Sequence, residues 1–124
     1  MPSLVSRSSG KPPIKDTIQQ YRPALKPYEE IYKDIHQNPE LSGEEARTAA
    51  IAAKHLDSLG DFVVHRNIGG HGVVGLLKNG PGPTVLLRAD MDALPHREQT
   101  GLPYASTKVA KDRQGKDTPV MHAC

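Results

Sequence analysis

Thr84-Val85-Leu86-Leu87-Arg88-Ala89-Asp90-Met91-Asp92 is the stretch on which the fold turns. Its first six residues are apolar on both faces, which predicts a strand in the middle of a covered sheet. Asp90 and Asp92 follow directly, at i and i+2, and so share one face of an extended segment. Acidic residues at the carboxyl end of such a strand are well placed to serve a site in an α/β sheet. The residues alone leave two readings level. The carboxylates could bind or orient a metal ligand or hold a base, or an Asp could simply cap a strand-end turn.

Moving toward the N-terminus, Asn79-Gly80-Pro81-Gly82-Pro83 reads as a tight connection. Before it, Gly72–Leu77 and Asp61–Arg66 read as two further strands, joined by a turn at 67–70. A helix is expected from Ser42, where Ser42-Gly43-Glu44-Glu45 has the spacing of a capping box. Ala46, Ala49, Ala50, Ala53, Leu56 and Leu59 give that helix a narrow stripe able to lie close to a sheet, and Gly60 closes it. An earlier helix starts near Pro27, carries Tyr28, Ile31, Tyr32 and Ile35 at helical spacing, and stops at Asn38-Pro39. The order of helix, helix, strand, hairpin and strand points to an α/β or α+β class.

Residues 1–27 hold five of the eleven prolines, and Arg7, Lys11, Lys15, Arg22 and Lys26 stand against Asp16 alone. Few of these residues could fill a core, so a flexible basic tail is expected, followed by one folded unit over 28–124. Beyond Pro95 the pattern dissolves into polar loops until Pro119-Val120-Met121-His122-Ala123-Cys124. His122 and Cys124 offer a borderline and a soft donor close together. The plainer alternative is an ordinary thiol beside a surface imidazole. His36, His55, His65, His71 and His96 show no i, i+4 pairing and read as solvated or capping residues.

Composition removes several function classes. A net charge of +2, with one Phe, no Trp and four Tyr, makes no case for nucleic-acid binding. No apolar run approaches the ~18 residues of a membrane span. The first residues lack the apolar core of a secretory signal, and a single Cys allows no internal disulfide, so a cytoplasmic setting is expected. Gly70-His71-Gly72-Val73-Val74-Gly75 satisfies the dinucleotide fingerprint literally, but a strand follows it where the fingerprint needs a helix.

Five segments, in order, resemble one family. These are His36–Glu45 (HQNPELSGEE), Gly69-Gly70 with Gly72–Gly75, Leu87–Pro95 (LRADMDALP), Glu98–Tyr104 (EQTGLPY) and Met121–Cys124 (MHAC). They resemble the hippurate hydrolases, auxin-conjugate (IAA-amino-acid) hydrolases and N-acyl-amino-acid amidohydrolases, which belong with the aminoacylase and carboxypeptidase-type zinc metallopeptidases. The resemblance covers roughly residues 28–124. His71 departs from it, standing where a small hydroxyl residue is common. The segment 108–117 also departs, being longer and more charged than usual.

The resemblance implies an α/β fold: the N-terminal portion of a zinc-peptidase-like catalytic domain, with two helices, then a hairpin and central strands of a mixed sheet, incomplete. It implies that Cys124 is a metal ligand and that Asp92 supports the site from behind the ligands. Asp90 matches a position that is a His ligand in the wider family but Asp in this subfamily. The implied cofactor is a divalent metal, zinc first, with manganese or cobalt as alternatives. The implied reaction is hydrolysis of the amide bond of N-acyl amino acids, in which metals lower the pKa of a water and a Glu moves its proton. That Glu, the Gly-His-Asp that follows the Cys in the family, and the family's dimerising second domain are not in this sequence, so the 124 residues alone are expected to be inactive. The resemblance also implies a homodimeric full-length protein acting on a small substrate, with no nucleic acid and no membrane. The alternative is a non-catalytic interaction fragment of the same fold.

Overall fold

A computed structural model describes residues 12–124 of the chain. Of the tail expected over 1–27, residues 1–11 lie outside the described residues. Within the rest, Ile14–Gln20 forms a short helix, α1, that buries no side chain. Helix α2 spans Lys26–Gln37 with Pro27 in its first turn, where the missing N–H costs nothing. Asn38 closes it, its backbone N–H reaching back to Asp34 and Ile35.

Helix α3 covers Ala46–Ser58. Its start differs from the expected capping box, because the Ser42 side chain does not cap it. The Glu40 carboxylate accepts instead, from Arg47 N (3.1 Å), Thr48 N (2.7 Å) and Thr48 Oγ1 (2.8 Å). A carboxylate can satisfy several of the free N–H groups of a first turn and complement its dipole, which a single hydroxyl cannot. Glu45 turns back to accept from Gly43 N. At the far end Gly60 takes a φ of 78°, as its closing role requires.

Strands β1 (Phe62–Ile68) and β2 (Gly72–Leu77) form the expected antiparallel hairpin. The register breaks between His65 and Ile68, where Asn67 has a φ of 60°. The alanine stripe of α3 lies on this hairpin, with Ala49 and Ala53 buried. Gly75 is where the helix comes closest. A side chain there would meet Leu56 and Phe62 at 3.0–3.2 Å. An Asp57–Arg66 ion pair ties α3 to β1.

The third strand does not form. Thr84–Ala89 has no ladder partner among the described residues, and Val85, Leu86 and Leu87 are 79%, 86% and 91% exposed. A strand exists by pairing, and the covered sheet that its two apolar faces anticipate has no other strands here. Conversely, the polar stretch after Pro95 contains a second antiparallel hairpin, β3 (Val109–Lys111) with β4 (Asp117–Pro119), closed by a Lys111–Asp117 pair. Its strands are three residues long and none of their residues is fully buried, too short for a period to register. The class is α/β as expected. No helix among the described residues is long and apolar enough to cross a membrane.

Candidate functional site

Three segments far apart in sequence meet beside the buried Ala93. Ala93 N donates to Glu40 O (2.8 Å), so Leu41 and Ala93 form a parallel bridge. Leu94 and Met121 form an antiparallel one, exchanging bonds of 2.9 and 3.1 Å. Residues 92–94 therefore run between the segment that follows α2 and the segment that ends in Cys124. Ala93, Val120 and Pro39 fill the space beneath, each nearly inaccessible.

Glu98 locks this clasp from one side. Its side chain has no accessible surface. Oε1 accepts from His36 Nε2 (2.9 Å) and Thr100 Oγ1 (2.6 Å), and Oε2 accepts from Ser106 N (2.5 Å). The Thr100 hydroxyl, then His36 and the Ser106 amide, hold this carboxyl down at about 2, against the opposing effect of burial. The ionised acceptor fixes the proton of His36 on Nε2. Tyr104 meets the His36 ring edge-on at 5.6 Å between centroids, and Tyr32 stacks on it at 5.9 Å.

Glu40 behaves similarly. Burial pushes its carboxyl up, but the Thr48 and Arg47 amides, the Thr48 hydroxyl and the Lys108 charge together hold it below its ordinary range. His122 is lowered as well, which for an imidazole favours the neutral form. Burial and the neighbouring His36 depress it, and the backbone and charge of Asp92 and the charge of Glu40 only partly compensate. Its ring lies 6.4 Å from that of His36, and its Nε2 is buried without a hydrogen-bond partner among the described residues.

The clasp brings the two site residues expected from sequence onto adjacent segments. Asp92 is half-buried, one residue before the bridge at Ala93, and Cys124 is exposed, three residues past Met121. Asp90 sits apart on the surface, paired with Arg88 at 3.1 Å. Among the described residues no three His, Cys, Asp or Glu side chains converge to hold a metal ion. An open groove of about 380 Å³ between α3 and the first hairpin shares no residue with the clasp.

Sequence reasoning missed the residues that build the clasp. His36 reads as a solvated or capping residue but is buried against Glu98. Glu98 and Ser106 read as members of a polar loop. Their signal was weak, because a buried acid in a loop looks like an exposed one until its partners are placed.

No protein-family profile matches the chain. Hippurate hydrolase of Campylobacter jejuni is 46% identical over 98 residues, which is 78% of this chain and 23% of the relative. The N-acyl-L-amino acid amidohydrolase of Geobacillus stearothermophilus is 36% identical over 92 residues, 74% of this chain and 22% of the relative. Among solved structures, the YxeP protein of Bacillus subtilis, a dinuclear metal-binding peptidase of the M20 family, superposes with a TM-score of 0.62 at 30% identity, covering 80% of this chain and 26% of its own. In sequence the chain is similar to these amidohydrolases and in fold to an M20 peptidase, and it spans about a quarter of the length of each.

Proposed function

We propose that this chain supplies the first part of the catalytic domain of a metal-dependent amidohydrolase that cleaves N-acyl amino acids. The observation that carries the reading is the clasp. Its three backbone partners, Leu41, Ala93–Leu94 and Met121, lie in three of the segments that resemble this family, and it lays the Asp92 and Cys124 segments side by side. Matches to relatives named for hydrolysing hippurate and N-acyl-L-amino acids support the substrate class.

Cys124 is proposed as a ligand for a divalent metal, zinc first, and Asp92 as the acid that orients the segment around it. The described residues do not fit a metal by themselves. A zinc site draws on three or four converging side chains, and here one exposed thiol stands without such company. No catalytic step is therefore assigned to these residues, and the 124 residues alone are expected to leave N-acyl amino acids intact. Homodimerisation, a cytoplasmic setting and independence of nucleic acid and membranes are proposed with the reading.

A chimera tests it. Residues 28–124 replace the matched segment of the Campylobacter jejuni hippurate hydrolase, and hippurate cleavage is assayed with zinc, manganese or cobalt. Metal-dependent turnover that disappears on Cys124→Ser supports the proposal. An inactive but folded chimera that still binds metal would favour a non-catalytic interaction module of the same fold.

A further inference from the structure

Glu98 faces two ways. Toward α2 it accepts from His36, and toward the other side it accepts from the amide of Ser106. Ser106 is itself buried, and its hydroxyl donates to Val120 O at 2.6 Å while accepting from Lys108 N at 3.2 Å. Val120 is 1% exposed and donates its own N–H to Lys108 O at 3.0 Å. The next residue, Met121, makes the paired bonds to Leu94, and His122 and Cys124 follow. Each polar group on this path is spent on the next, so a shift of the Glu98 carboxylate is transmitted to the height of Val120.

We propose that Glu98, acting through Ser106, is the positioning residue for the 120–124 segment and sets where Cys124 lies relative to Asp92. The importance of Cys124 rests on the function proposed above, whereas the placement itself does not. A purely local role, closing the 98–106 loop and anchoring it to α2, would require only the His36, Thr100 and Ser106 amide contacts and not the Ser106 hydroxyl bond to Val120 O. The Ser106 arm runs away from α2, to the carbonyl just before the Leu94–Met121 pair.

The test uses the full 124-residue chain, isotopically labelled, with Ser106→Ala, Glu98→Gln and, as a control for lost stability, Ala53→Gly in α3. Two signals are read by NMR: amide exchange at Met121 relative to Val74 in the first hairpin, and the ring resonances of His122. Ser106→Ala is expected to speed Met121 exchange about tenfold relative to Val74, the worth of one net hydrogen bond, and to shift the His122 ring. Glu98→Gln keeps one acceptor oxygen and falls between wild type and Ser106→Ala. Ala53→Gly, which loosens α3 against the first hairpin, is expected to raise Val74 exchange and to leave Met121 no faster than Val74 and the His122 ring unchanged. If Met121 exchange rises only in step with Val74, or the His122 ring stays in place when the Ser106 hydroxyl is removed, the relay is overturned. If the relay signals appear but the hippurate-hydrolase chimera is inactive, the positioning stands and the amidohydrolase reading falls.

Discussion

Leu94 and Met121 exchange two backbone hydrogen bonds, at 2.9 and 3.1 Å, across the whole of residues 95–120. Through this pair, Asp92 and Cys124 become neighbours by segment. An acid held this way should orient a metal site without being consumed by it. In the chimera, Asp92→Asn is expected to lower activity by about 10–100-fold, the usual effect of losing a group behind the ligands, while most metal stays bound. Metal content by elemental analysis, measured beside turnover, checks this. Complete loss of metal would make Asp92 a direct ligand.

Acid should open the clasp through Glu98. Its folded-state value, about 2, lies below the ordinary 4.5. A depressed carboxylate stabilises fully above its unfolded value and loses that contribution as pH falls toward the folded one. The Glu98 contribution is therefore complete above about pH 4.5 and fades between about pH 4.5 and 2. Glu40, also depressed, adds in the same direction. Urea midpoints of the chain and of Glu98→Gln, compared at about pH 6 and about pH 2.5, should differ at the higher pH and converge at the lower. A gap that is equal at both would contradict this.

Glu40 replaces the expected serine as the group that starts α3. Glu40→Ala strands Arg47 N, Thr48 N and the Thr48 hydroxyl, and should cost about 1–2 kcal/mol. Glu40→Gln retains an acceptor oxygen and should cost about half as much. Chemical denaturation measures both. Equal losses would assign the effect to charge rather than to capping. By the same logic, Ser42→Ala should be nearly silent.

The exposed run Val85-Leu86-Leu87 should make the chain associate. Three consecutive apolar side chains on an extended, unpaired segment are a template for pairing with another chain. Sedimentation velocity is expected to show concentration-dependent association that Leu86→Lys with Leu87→Lys suppresses. A chain that is monomeric at every concentration would sink this expectation.

What the sequence reveals here depends on how local the cause is. Pro27, Gly60 and the stripe from Ala46 to Leu59 act within a few residues of themselves, and both helices and the first hairpin are legible from them. The Ser42 box fails because a competitor outside its window, Glu40, has two oxygens to offer. Thr84–Ala89 fails as a strand because pairing is not a property of one segment. His36, Glu98, Ser106 and Val120 reach across as many as 62 residues for His36 and Glu98, and no periodicity encodes such a contact. Asp92 and Cys124 stand out in the sequence by donor chemistry and by the segments that carry them, but the pairing of those segments is visible only through the Leu94–Met121 bridge.

The parallel bridge between Leu41 and Ala93 has a further consequence. Residues 42–92, with α3 and the first hairpin inside them, leave and return at a single point. That detour behaves as a cassette plugged into a fixed socket. Its outer rim at Gly80-Pro81-Gly82 is exposed, and lengthening a flexible loop costs only about 0.6 kcal/mol per doubling. Insertions and deletions there can accumulate, or be engineered, while Glu40, Ala93 and Met121 stay where they are. The length of that rim can thus change without disturbing the residues that flank the stem.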